Sequence, residues 1–111
     1  MTNGQINAAV AKVIGVKSGK FLTSTRDLNK VKAWLSNYQW SVEHYPDKKE
    51  TPPLVPGNYE CNIWYKPHTA TGEYGYTEAQ AICLTLLVAF ACTKSVQNHI
   101  DKLYEKLGES K

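Results

Sequence analysis

"YKPHTATGEYGYTEAQAICLTLL", residues 65–87, decides how the rest of the chain is read. Thr77 and Gln80 stand three apart just before an apolar run, the spacing of a capping box that satisfies the first free amides of a helix. From Ala81 onward the residues are apolar nearly all round, so this helix is expected to be buried on more than one side. The run ends at Cys92, well short of the roughly 20 residues that span a bilayer, and so reads as a core helix. The tyrosine-, glycine- and threonine-rich stretch before it reads as a polar approach. Its "TGEYG" (71–75) lacks the spacing of a phosphate-binding fingerprint and is expected to be a loose turn.

The other elements are read outward from that helix. In "NGQINAAVAKVIG" (3–15), Ile6, Val10, Val13 and Ile14 share one helical face, with Asn3 placed to cap the start and Gly15 to end it. "KFLTS" (20–24) is expected to be a short strand. In "STRDLNKVKAWLSNY" (24–38), Leu28, Val31, Leu35 and Tyr38 repeat at helical spacing, Ser24 with Asp27 resembles a capping box, and Trp34 borders the buried stripe. "QWSVEHY" (39–45) alternates, with Trp40, Val42 and His44 on one face. "NYECNIWYK" (58–66) also alternates, with Tyr59, Cys61, Ile63 and Tyr65 on one face. Between them, "PDKKETPPLVPG" (46–57) is a proline-rich loop, which suggests an antiparallel pair with a protruding connection. The class is α+β: a small antiparallel sheet of two to four strands packed with three main helices.

The C-terminal part admits two arrangements. A helix continuous from Glu78 to Leu107 would be about 45 Å long, whereas a domain of this size has a radius of gyration of about 13 Å. It must bend near Thr93–Ser95 or project. A projecting end would divide the chain into a sandwich domain, 1–93, and an extension, 94–111. Its narrow stripe of Val96, Ile100, Leu103 and Leu107 would then serve homo-oligomerisation. Alternatively, a separate fourth helix folds back on its own domain.

Composition narrows the partners. The net charge is +3, yet only one of the 13 basic residues, Arg26, is an arginine, and the lysines are dispersed. Duplex nucleic-acid binders concentrate a basic face and use arginine for bidentate contacts, so the balance argues for a weak positive field instead. Cys83 and Cys92 fall in the apolar run and read as small buried hydrophobes. With no CxxC and no apolar leader pattern in residues 1–15, a reducing cytoplasm is the expected setting.

"INAAVAKVIG", "FLTSTRDLNKVKAWL" and "EAQAICLTLLVAF" together resemble the small bacteriophage proteins grouped as the phage alpha-beta-alpha sandwich domain. In that pattern an opening helix ends in glycine and a Ser-Thr-Asp-like element starts a second helix. Tryptophan-containing strands follow, and the closing helix begins with Glu-Ala and Ile-Cys. The likeness spans about residues 6–91. Arg26 interrupts the Ser-Thr-Asp element, and the chain continues past the expected last helix. The resemblance implies a phage protein acting in the host bacterial cytoplasm. Some proteins that look related sequester immune nucleotides, including cyclic ADP-ribose isomers of the Thoeris defence system. It therefore implies a non-enzymatic counter-defence protein that holds a cyclic nucleotide messenger. The alternatives are a protein–protein inhibitor of a host defence enzyme, of the anti-CRISPR kind and with loop 46–57 as its contact, and a phage accessory or assembly protein.

A nucleotide ligand needs an aromatic face for its base and donors for its phosphates. Candidate donors are Arg26, in the first turn of the second helix, and Lys66 and His68, with the amides opening the helix at Thr77 as a further anion contact. A cation in a helix's first turn gains nothing from the dipole, so Arg26 points to a bound anion, a neighbouring acid or simple solvation. Trp64, Tyr74 and Tyr76 are candidate stacking partners; the competing reading of strand aromatics is core packing. Catalysis has little support. His44, His68 and His99 are dispersed, and no metal-ligand spacing, nucleophile elbow or P-loop occurs, so neither metal nor cofactor is expected. Glu43 and Glu60 could meet across paired strands as an acid–base pair, against the commoner reading of two solvated glutamates.

Overall fold

The computed structural model describes residues 1–45 and 59–109, the side chains of 107–109 excepted. The expected contact loop 46–57 lies outside the described residues. Four helices, α1 (Asn3–Ile14), α2 (Thr25–Leu35), α3 (Glu78–Phe90) and α4 (Lys94–Glu109), accompany three strands, β1 (Gln39–His44), β2 (Tyr59–Lys66) and β3 (Thr69–Gly75). The strands form one antiparallel sheet in the order β1-β2-β3. The α+β class is as the sequence implies.

Helix α3 is the hub. Thr77 Oγ1 accepts the Gln80 amide at 3.0 Å and Gln80 Oε1 accepts the Tyr76 amide at 2.8 Å, so the start is closed from both sides. Every residue from Ala81 to Leu87 is buried. The helix packs on β2 and β3, reaches β1, and is met by α1 and α4. The single proton of Thr85, the one buried polar side chain among the described residues, is shared between the Ala81 carbonyl at 2.7 Å and the Cys61 carbonyl at 3.2 Å. Helix and central strand are thereby tied without leaving a polar group unpaired.

Several expectations are corrected. Thr2, not Asn3, caps α1, in a reciprocal box with Gln5. "KFLTS" is a turn, not a strand: side chains satisfy its amides, Asp27 accepting from Lys20 at 2.8 Å and Asn7 from Leu22 at 3.3 Å. Phe21 is meanwhile fully buried. The Asp27 carboxylate is therefore spent on Lys20 and does not close the box with Ser24; that hydrogen bond is also the main reason its pKa lies below the usual carboxylate value. "TGEYG" is no turn but the body of β3.

The apolar run breaks sooner than expected. Helix α3 stops at Phe90, and Thr93 opens α4 by accepting the Val96 amide on its side chain (3.2 Å) and the Gln97 amide on its carbonyl (3.0 Å). Cys92, expected inside, is exposed in this break, whereas Cys61 and Cys83 are buried. Val96, Ile100 and Leu103, expected on a self-association seam, are instead buried in this chain's own core. Leu107's side chain lies outside the described residues. A core shared with α3 also removes the basis for separating 94–111 from the rest.

One carboxylate fastens α4 to the sheet. On β3, Glu73 pairs with Cys61 and accepts a short hydrogen bond from Tyr104 of α4, while the same phenolic oxygen accepts the Tyr74 amide at 3.3 Å. Tyr104 thus covers part of the outer edge of β3, which would otherwise offer free strand amides. Burial pushes the Glu73 carboxyl above its ordinary value, with the Tyr104 bond pulling the other way. A raised folded-state pKa means that this group's stabilisation is complete below the unfolded carboxyl pKa and is lost as pH rises through the folded one. Glu73→Gln keeps an acceptor for Tyr104 without the buried charge. It is expected to melt no lower than the native chain at pH 7, and to lose any advantage below about pH 4.5. Melting curves across that range check this; a variant weaker at pH 7 than at pH 4 relative to the native chain would contradict it.

Candidate functional site

The β2–β3 hairpin end builds a concave surface from local rules. Lys66 pairs with Thr69, leaving Pro67 and His68 as a two-residue turn. His68 has φ of 64°, a left-handed conformation that glycine or asparagine takes more cheaply and that costs an L-residue roughly 1 kcal/mol. The register slips between Trp64 and Lys66, so Tyr65 is an extra residue on β2. A regular strand sends consecutive side chains to opposite faces. The bulge relaxes that alternation, and Trp64, Tyr65 and Lys66 all line one depression of about 330 Å³.

Its other wall is the α2–β1 connection. Gln39 is the cross-strand partner of Trp64 and shares its face. Asn37 donates its side-chain amide to the Trp34 carbonyl at 3.0 Å, which leaves the Asn37 oxygen for other partners. Tyr38 and Tyr65 line the depression and rest on Phe90, with ring centroids 4.9 and 6.0 Å away; Trp34 meets the same ring edge-on at 5.0 Å. This aromatic cluster fixes the base of the site on three elements. Trp64 is 37% exposed, high for so large a ring. No carboxylate lines the depression among the described residues, so Lys66 and His68 set its electrostatic character.

Trp64, Lys66 and His68 are therefore brought together, and the other candidates are not. Tyr74 lies six residues along the hairpin from His68, about 20 Å at about 3.3 Å per residue. Its phenol is hydrogen-bonded to Glu60, which raises its pKa, and its amide goes to Tyr104. Thr77 spends its hydroxyl on the cap, and Tyr76 is exposed beside it. Arg26 is exposed on the first turn of α2 and lines no part of the depression. Asn37, Tyr38, Gln39, Tyr65 and Pro67 were not anticipated as site residues. The signal for Gln39 was the β1–β2 pairing itself, once its register is counted.

Glu43 and Glu60 do face each other across β1 and β2. Both carboxylates are engaged: Glu43 accepts the Tyr45 phenol at 2.6 Å, and Glu60 accepts the Asn62 amide at 3.0 Å. The bond to Glu43 is the chief reason that the Tyr45 phenol is pushed up to about 12. Among the described residues no group of three histidine, cysteine or acidic side chains gathers to hold a metal, and no helix is long and apolar enough to cross a membrane. No family model matches the chain, and neither the curated proteins nor the solved structures contain a match.

Proposed function

We propose that this chain is a non-enzymatic binding protein whose hairpin depression takes a small ligand with a planar ring and an anionic group, of the nucleotide class, and sequesters it. The observation that carries the reading is the convergence of Trp64, Lys66 and His68 on one concave surface. His68 stands there with a left-handed backbone, at a turn position that glycine would fill more cheaply. Backbone strain of this kind collects at binding sites, where the energy of holding a ligand outweighs the local cost. The ring stacks on Trp64, the anion meets Lys66 and His68, and the amides of Asn37 and Gln39 stand at the ring's edge. The volume lies at the small end of the range of about 300–1,000 Å³ typical of ligand sites. The counter-defence role, with a cyclic nucleotide or a cyclic ADP-ribose isomer as the messenger removed, rests on the sequence resemblance.

Calorimetry against adenosine monophosphate, cyclic dinucleotides and cyclic ADP-ribose tests this. At least one is expected to bind without being cleaved. Trp64→Ala is then expected to lose about 1–3 kcal/mol of affinity, the usual worth of a base–aromatic stack, and Lys66→Ala to weaken the same ligand in a salt-dependent way. Absence of heat with all three at high micromolar concentration would remove the nucleotide reading.

A further inference from the structure

A second concavity, of about 440 Å³, lies between α1 and α4, far from the hairpin in sequence and built by different residues. Gln5 from α1 and Ser95, Asn98, His99 and Lys102 from α4 line it, along with Met1. Helical spacing sorts the charges of α4 around its axis. Val96, Ile100 and Leu103 face the core. Ser95, His99, Lys102 and Lys106 run at i, i+4, i+7 and i+11 along one flank, towards the groove. Gln97, Asp101 and Glu105 run at i, i+4 and i+8 along the opposite flank, where Gln97 bonds Asp101 at 3.0 Å. The carboxylates of this helix are thus turned away from the groove and its cations towards it.

His99 registers the resulting field. Its Nδ1 lies 3.4 Å from the Met1 amino group. Its pKa is held below the ordinary imidazole value by burial first, then by that amino group, Lys102 and Lys106, with no acid among the causes. The groups facing the imidazole are cationic or neutral from both elements: the Met1 amino group and Gln5 from the α1 side, and Ser95, Asn98, Lys102 and Lys106 from α4. A half-open pocket of converging donors with uncompensated positive charge is the complement of a compact anion.

We propose that the α1–α4 groove binds the phosphate group of a phosphate monoester, with Lys102 supplying the charge and His99 taking up a proton as the anion enters. Gln5, Ser95 and Asn98 supply neutral donors, and the volume leaves space for the ester substituent beside the phosphate. A dianion reverses the field at His99, so binding and protonation are linked: phosphate raises the imidazole pKa, and lower pH strengthens binding. This site is independent of the hairpin depression, and neither proposal depends on the other.

The test is an NMR titration of the three histidine imidazoles in inorganic phosphate and in chloride of equal ionic strength, on the full chain, repeated with glycerol phosphate. In phosphate the His99 midpoint is expected to rise by about one pH unit, as for an imidazole gaining a close opposite charge. Lys102→Ala, an exposed change expected to leave the melting temperature unchanged, should lose most of that rise, and Lys102→Arg should retain it. Glycerol phosphate should act at lower concentration than inorganic phosphate if the ester pocket is used; an equal or weaker effect would overturn the monoester assignment. Superposed His99 curves in phosphate and chloride would overturn the site altogether, as would a full rise in Lys102→Ala. A response confined to His68 would do the same while supporting the hairpin site.

Discussion

Ile100→Ala is expected to lower the unfolding free energy by about 2–5 kcal/mol, the range for removing a large aliphatic side chain from a packed interior. Ile100 is only 2% exposed and belongs to the same core cluster as Leu84, Leu86 and Leu87 of α3. A domain of this length has a total stability of about 5–15 kcal/mol, so one such loss consumes a large fraction of the margin. The melting temperature should fall by roughly 10–20 °C. The measurement also decides between the two arrangements that the sequence left open. Were the Val96–Ile100–Leu103 stripe a seam between copies, the variant would lose mass in solution and the isolated domain would keep its melting temperature. With the stripe closed onto α3, melting temperature falls first. Unchanged melting with a halved mass would return the stripe to a seam between copies.

That ambiguity shows where sequence reading stops. Helices α2 and α3 were legible because cap and period agree: Ser24 and Thr77 each accept an amide three residues on, and the apolar positions follow at helical spacing. The break between α3 and α4 carries neither glycine nor proline. Its one local signal is Thr93, which reads equally well as a polar residue inside a long helix. β3 was hidden for a different reason. Its turn is Pro-His instead of a glycine-containing pair, and its two glycines suggest a loop until their neighbours are known. Strand or turn was decided by pairing with β2, an interaction no local pattern encodes.

The site was half legible on the same grounds. Trp64, Lys66 and His68 are near neighbours in the chain, so locating one locates the others. Asn37 and Gln39 join them only through the β1–β2 register, which depends on two strands separated by the long proline-rich segment. Tyr74, Tyr76 and Thr77 looked equally close in sequence while the segment was read as a turn. Once residues 69–75 extend as a strand, that proximity becomes the length of a hairpin arm, and the polar stretch divides between two ends of the sheet.

Gly75→Ala is expected to destabilise the chain by about 1–3 kcal/mol or more, although adding a Cβ to a glycine normally stabilises through the unfolded state. Gly75 does not have positive φ, so the penalty is one of space alone. A Cβ there would sit 2.6 Å from the Ala81 nitrogen and 3.1 Å from its Cα. Those are backbone atoms in the first turn of α3, and the same nitrogen donates to the Thr77 carbonyl at 3.1 Å. Relief requires moving the helix start off β3, which loosens the packing of the most buried helix in the protein. Gly72 supplies the control on the same strand. Its Cβ would approach Asn62 Oδ1 at 2.1 Å, a closer clash on paper, but the obstacle is the end of a side chain that can rotate away at the expense of its bond to Glu60. Gly72→Ala should therefore cost less than Gly75→Ala in denaturant titrations despite the shorter distance. If the two variants lose equal stability, or if Gly72→Ala is the weaker protein, the close approach of α3 to Gly75 is not what sets the spacing between helix and sheet.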